Sequence, residues 1–169
     1  MIHLTQFQQL IISGIIAVVV PFVIYLFRKR TDKLIPLFFA VYFLVVAYET
    51  LLTRDIGVER RIELTPLWSY AQFSDHYSQI IMNIFLFIPL GYLIPFASKK
   101  TFLQTLILGC CLSIGIELLQ FIFALGLCEI DDVIHNTLGC IIGYWYWFGL
   151  SKLGEKYKRD REMKDMERG

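Results

Sequence analysis

Seven polar residues of this chain fall within or beside apolar blocks: Asn83, Glu117, Gln120, Asp131, Asp132, His135 and Asn136. Glu117 lies between Ile116 and Leu118-Leu119, and Gln120 follows about one helical turn later on the same side. Asn83 precedes the apolar run Ile84 to Ile88. Asp132, His135, Asn136 and Gly139 recur at i, i+3, i+4 and i+7, which is one helical face. Carboxylates and an imidazole are the groups that acid–base or metal-assisted chemistry uses. A set this rich in carboxylates and poor in histidine suits Mg²⁺ or Ca²⁺ better than zinc, and His76 belongs to a different loop. No Ser nucleophile elbow, HExxH helix or phosphate-cradling loop accompanies the set. No catalytic residue, metal or cofactor is therefore assigned.

A structural explanation competes with the functional one. Asn83, Gln120 and Asn136 can serve as interhelical hydrogen-bond glue. Asp132 is expected to cap the helix that follows it, and Asp131 and His135 could simply be solvated at an interface. Glu117 resists this explanation best. An ionisable group costs about 2.5–3.5 kcal/mol near a bilayer centre even on the lower scales, and it persists only facing protein or water.

The elements that would position these residues are membrane helices. The chain has 169 residues, 56% of them hydrophobic, with a mean hydropathy of +0.57. Its apolar residues form five blocks, Leu10 to Phe27, Leu34 to Leu52, Gln79 to Ala97, Phe102 to Ala124 and Val133 to Leu150. Each is close to the roughly 20 residues that a bilayer core requires. The expected fold is all-α, a polytopic bundle of five transmembrane helices over residues 1–151 with a charged tail over 152–169. Met1 to Gln9 carry no Lys or Arg, unlike the basic start of a signal peptide, so the first block is expected to be a retained helix. Of the 16 Lys and Arg residues, all but Arg54, Arg60 and Arg61 fall on one side of this topology. The positive-inside rule puts that side, with the tail, in the cytoplasm and the N-terminus outside. The basic residues are accounted for by topology, which leaves no nucleic-acid signal.

On these assignments the fourth helix runs outward and places Glu117 about 10 Å below its outer end, at 1.5 Å per residue. Asn83 and Asn136 lie about 6 Å or less below the outer ends of their helices. Three helices thus bring polar residues to one level, which suggests a polar pocket open to the outer face. The loop from Thr53 to Ser78 carries Trp68, Tyr70, Phe73 and Tyr77 around Pro66. It reads as an interfacial anchor, or else as a lid or docking surface over the pocket. Gly139 and Gly143 permit close helix approach, and Gly109, Ser113 and Glu117 share a face at the same spacing. The four cysteines make no disulfide framework and are expected to be buried small residues plus one loop thiol, Cys128. Glu49, near the outer end of the second block, either snorkels to headgroups or faces the bundle.

Three segments in this order resemble the signature of the VanZ-like family of bacterial membrane proteins. They are Asn83-Ile-Phe-Leu-Phe-Ile-Pro-Leu-Gly91, Glu117-Leu-Leu-Gln120 and Asp131-Asp-Val-Ile-His-Asn-Thr-Leu-Gly139. The resemblance covers residues 63–150 best, and Leu64-Thr-Pro-Leu-Trp68 adds a weaker feature. It implies a multi-pass protein of the bacterial cell membrane with a link to resistance against teicoplanin, a lipid-tailed glycopeptide. Asn83, Glu117, Gln120, Asp132 and Asn136 would be its polar positions here. Many members carry an arginine before the aspartate motif, where this chain has Leu127-Cys128-Glu129, so a basic group for anion recognition is in doubt. The expected partners are membrane lipids and a lipid-linked cell-wall precursor or lipoglycopeptide. The alternative is a membrane enzyme acting on a lipid-linked substrate. Oligomeric state is left open.

Overall fold

The computed structural model describes residues 6–26, 32–52, 54, 57, 60–71 and 73–167. Helix α1 covers Gln6–Leu26. A 3₁₀ turn at Asp32–Leu34 leads into α2, Ile35–Ala47. Pro36 falls in the first turn of α2, where its missing N–H costs no helical bond. A π-helical turn, Tyr48–Leu52, prolongs α2. Strand β1 (Arg61–Glu63) and the single turn α3 (Trp68–Ala71) precede α4, Phe73–Ser98. Helix α5 spans Phe102–Ile122 and begins at a capping box. There the Gln104 N–H donates to Thr101 Oγ1 at 3.4 Å, and the Thr101 N–H donates to Gln104 Oε1 at 3.1 Å. Strand β2 (Leu127–Glu129) passes directly into α6, Ile130–Met166.

The all-α reading holds, with one addition: β1 and β2 pair in parallel, Arg61 with Leu127, Ile62 with Cys128 and Glu63 with Glu129. The described residues of each apolar block lie mainly on one helix. Among the described residues, three helical stretches are long and apolar enough to cross a membrane, Ile35–Leu52, Tyr77–Ser98 and Phe102–Ile122, and Ser13–Leu26 is a shorter apolar one. Large apolar side chains such as Leu44, Leu103 and Leu118 point outward along their helices, as expected of a membrane protein whose solvent is hydrocarbon. The last block continues without a break into the charged segment, so residues 130–166 form one helix.

Helix α4 lies at the centre, packed most extensively on α6 and then on α1. Close approach of α4 and α6 depends on glycine. A Cβ on Gly139 would strike the Ile84 carbonyl, one on Gly143 the Ile88 carbonyl, and one on Gly91 the Cys140 carbonyl. Phe87, Leu90, Tyr92, Leu93 and Ile116 fill the apolar core around this contact. The cysteines correct one expectation, because only Cys140 is buried. Cys111 shares the outward face of α5 with Ile107, Ile114 and Leu118 and is exposed, while Cys110 and Cys128 are half-buried.

Candidate functional site

The polar residues collect at the end of the bundle where α5 stops and α6 starts. On α5, the buried set Thr105, Gly109, Ser113, Glu117 and Gln120 forms one stripe facing inward. On α6, the first-turn residues Asp131 and Asp132 and then His135 and Asn136 are buried. The two stripes meet where Asn136 Nδ2 donates to Ser113 Oγ at 2.8 Å. Glu117 Oε2 accepts the backbone N–H of Glu129 at 2.9 Å, tying α5 to β2. Gln120 Nε2 donates to the carbonyl of Thr50 at 2.9 Å, tying α5 to the π-helical turn.

Asp131 holds a different part of the chain. Its carboxylate accepts the N–H of Leu67 at 2.5 Å, the N–H of Ser69 at 3.0 Å and the Ser69 hydroxyl. Leu67 has φ of 63°, a left-handed conformation uncommon for a branched residue. The three bonds from a fully buried carboxylate fix that turn and start α3. Burial alone would raise the Asp131 pKa, but the hydrogen bonds from Ser69 and Leu67 hold it below the ordinary carboxylate value. Asp132 faces α4, with Gln79 Nε2 at 3.4 Å from both of its oxygens and Asn83 beside it. His135 Nε2 pairs with the Tyr70 hydroxyl at 3.0 Å.

Two expectations are corrected here. Asp132 is not the cap of α6. The helix starts at Ile130 with Glu129 in the cap position and no side-chain cap bond, so Asp132 is the third helical residue and turns toward Gln79. β2 delivers the chain straight into the helix, which moves the start upstream. Asp131 and His135 are not solvated either, at 0% and 1% exposure, because the segment Leu67–Tyr70 folds over both. All seven residues singled out from the sequence lie in this region. Six are buried, and Asn83 is half-buried.

The sequence did not single out Arg54, Glu129, Ser69 or Gln79 as site residues, and it named Tyr70 only among the aromatics of the 53–78 loop. Arg54 lies within Coulombic reach of Asp132, Glu129 and Glu117. It brings a positive charge from the α2–β1 loop to these carboxylates. Glu129, 6% exposed, has its pKa pushed up to about 7, first by burial and then by Asp132, against the opposing pull of Arg54. Four carboxylates and one guanidinium therefore share one low-dielectric region. Only the run of acidic residues around position 130 signalled Glu129, and Arg54 looked like an ordinary loop charge.

Other described parts of the 53–78 loop are docked on the same end. Arg60 Nη2 donates to the carbonyl of Ile122 at 3.1 Å, where a cation also suits a helix C-terminus. The Gly57 N–H bonds the Ala124 carbonyl at 3.0 Å. Several buried polar atoms have no hydrogen-bond partner among the described residues: Asn83 Nδ2, Gln120 Oε1, His135 Nδ1, Asn136 Oδ1 and Thr137 Oγ1. Among the described residues, no three His, Cys, Asp or Glu side chains converge as a metal site would require. The carboxylates are instead turned to separate donors. Among the described residues, a largely apolar cavity lies on each of two sides of α4, and neither of these is lined by any of the seven residues.

Comparison with known proteins adds two findings. The VanZ/LLP1 family model matches residues 33–151. The curated Protein VanZ of Enterococcus faecium is 35% identical over 104 residues, covering 61% of this chain and 62% of that one. No solved structure matches the chain.

Proposed function

The chain belongs to the VanZ/LLP1 family, and from that premise we propose that it is a multi-pass protein of the bacterial cell membrane contributing to glycopeptide resistance or envelope homeostasis. On this reading five helices cross the bilayer with the N-terminus outside and α6 carrying the charged tail into the cytoplasm, which the distribution of Lys and Arg supports. The polar end of the bundle then meets the outer leaflet. There it binds a lipid-linked cell-wall component or a lipoglycopeptide such as teicoplanin.

One observation carries this reading: unpartnered buried polar atoms gather in one layer beside four carboxylates and Arg54. Such an atom costs about 1–3 kcal/mol when left without a partner, and native folds keep few of them except where a function or a bound group explains them. Sugars and peptide groups of a wall precursor or glycopeptide supply hydrogen-bonding partners for the remaining atoms Gln120 Oε1, Asn136 Oδ1 and His135 Nδ1. The exposed side chains of Ile62, Leu64, Leu67 and Tyr70 above the layer suit the headgroup region.

The alternative, acid–base catalysis on a lipid-linked substrate, draws support from the Tyr70–His135 pair, whose phenol is 46% exposed. Teicoplanin susceptibility separates these outcomes in a Gram-positive host expressing wild type, Glu117→Gln or Asn136→Ala at matched membrane levels. Protection by wild type that either variant loses supports a working polar layer. Full protection by Asn136→Ala with loss in Glu117→Gln favours proton transfer, because an amide cannot carry a proton. No protection by well-expressed wild type removes the resistance role.

A further inference from the structure

A groove runs between α2, α4 and α5 at the end of the bundle where α4 stops and α5 starts, away from the carboxylates. It has a volume of about 390 Å³, within the range of small-molecule sites. Its floor reaches from Leu90 to Ser98 on α4, with Phe39 and Phe43 of α2 on one side and Leu108 and Leu112 of α5 on the other. At 1.5 Å per residue that floor is about 12 Å long, against roughly 15 Å for half of a bilayer core. Every lining residue except Ser98 is apolar, and the Ser98 hydroxyl already donates to the Ile94 carbonyl at 2.7 Å. Phe43 and Leu108 stay exposed, so the groove opens sideways to its surroundings. Hydrocarbon is the matter that suits it.

Charge gathers at one end of this groove. Lys99 and Lys100 follow Ser98 directly and make the turn into the Thr101 cap of α5. The turn is fixed: Lys99 has a left-handed φ of 51°, and its N–H bonds the Pro95 carbonyl at 2.9 Å. Lys33 stands in the 3₁₀ turn before α2, which runs antiparallel to α4 and so brings its start to the same end. All three lysines are exposed, and none has an ion pair among the described residues. Asp32 is the one acid in the stretches 32–34 and 99–101. No carboxylate lines the groove.

We propose that the groove seats one acyl chain of an anionic phospholipid, whose phosphodiester head is held by Lys33, Lys99 and Lys100. The two halves of the argument require each other. An apolar slot alone accepts any lipid chain, and exposed lysines alone attract any anion, but an apolar slot ending in cations selects an amphiphile with a negative head. The proposed topology enters only in naming the leaflet, which is the cytoplasmic one.

The test uses the full chain in phosphatidylcholine nanodiscs, doped at one mole fraction with phosphatidylglycerol or phosphatidylcholine carrying a mid-chain diazirine. Both leaflets of a nanodisc have the same composition, so the outcome is independent of which side faces the cytoplasm. Peptide mapping after photolysis should place labels on residues 39–43, 90–98 and 108–112, about fivefold more from the anionic probe than from the zwitterionic one. Changing the exposed lysines together, Lys33→Gln, Lys99→Gln and Lys100→Gln, should bring the two probes level. Leu108→Trp, or separately Ala97→Phe, fills the groove and should lower labelling there by both probes. Size-exclusion profiles check folding, and a misfolded groove variant is replaced by the other, while the lysine variant changes only surface residues. Equal labelling of wild type by the two probes, or a preference that survives the lysine changes, overturns the proposal. Labels spread over outward-facing residues such as Ile11 and Leu44, with no effect of filling the groove, overturn it as well.

Discussion

The α5–α6 side of the bundle and the α1–α2 side divide polarity and space between them. Around Glu117, Asp131 and Asn136 the chain packs polar groups tightly and ties each to a neighbour from another element. Around Val41 and Leu86 it is apolar, and it encloses a cavity with a single carboxylate at its rim. The difference is that long-range hydrogen bonds cross the polar side, whereas the apolar side leaves space between its helices. Glu117, Asp131 and Gln120 clamp β2, α3 and the π-helical turn in that order. Any ligand of the polar layer would meet a pre-arranged set of donors and acceptors under the Leu67–Tyr70 segment.

The largest expected effect is at Asp131. Asp131→Ala removes the acceptor of three hydrogen bonds and leaves the left-handed Leu67 turn unheld, at a cost of about 3 kcal/mol. Thermal unfolding in detergent should show the loss. A variant as stable as wild type would break the idea that this side is a clamp. Next comes Gly139→Ala, whose methyl meets the Ile84 carbonyl, a backbone atom that cannot swing aside. Separation of α4 from α6 should cost about 2 kcal/mol, and an unchanged melting temperature would mean the helices are not so close. Ser113→Ala strands Asn136 Nδ2 and should cost about 1 kcal/mol by the same measurement. A pH dependence sharpens the same comparison. With the Glu129 pKa raised to about 7 from 4.5, the folded chain keeps a proton that the unfolded chain releases. This contribution to stability is greatest below pH 4.5 and declines as pH rises toward 7. Melting temperatures of wild type minus Glu129→Gln should fall across that interval, and a flat difference would place Glu129 in water.

Periodicity made much of this legible. The Gly109–Ser113–Glu117 face and the Asp132–His135–Asn136–Gly139 face are buried as their spacing requires. The family resemblance, read from Asn83, Glu117-Leu-Leu-Gln120 and the Asp131-to-Gly139 run, holds as well. What the sequence concealed was long-range. Three-residue strands carry too short an alternation to be seen, and β1 and β2 join residues 61–63 to 127–129. Asp131 looked like a surface charge because its partners, Leu67 and Ser69, are more than sixty residues away. Arg54 was counted only toward topology, since nothing local in the chain says that a loop cation reaches a carboxylate cluster.

The account rests most heavily on the polar end of the bundle facing outward. Thiol labelling of intact cells with a membrane-impermeant maleimide tests this directly. The native cysteines are replaced by serine or alanine, and a single cysteine is placed at Leu64 in the loop beside β1 or at Met166 in the tail. The account predicts that Leu64→Cys is labelled in intact cells and Met166→Cys only after permeabilisation. The reverse pattern would put the carboxylate layer in the cytoplasm and contradict it.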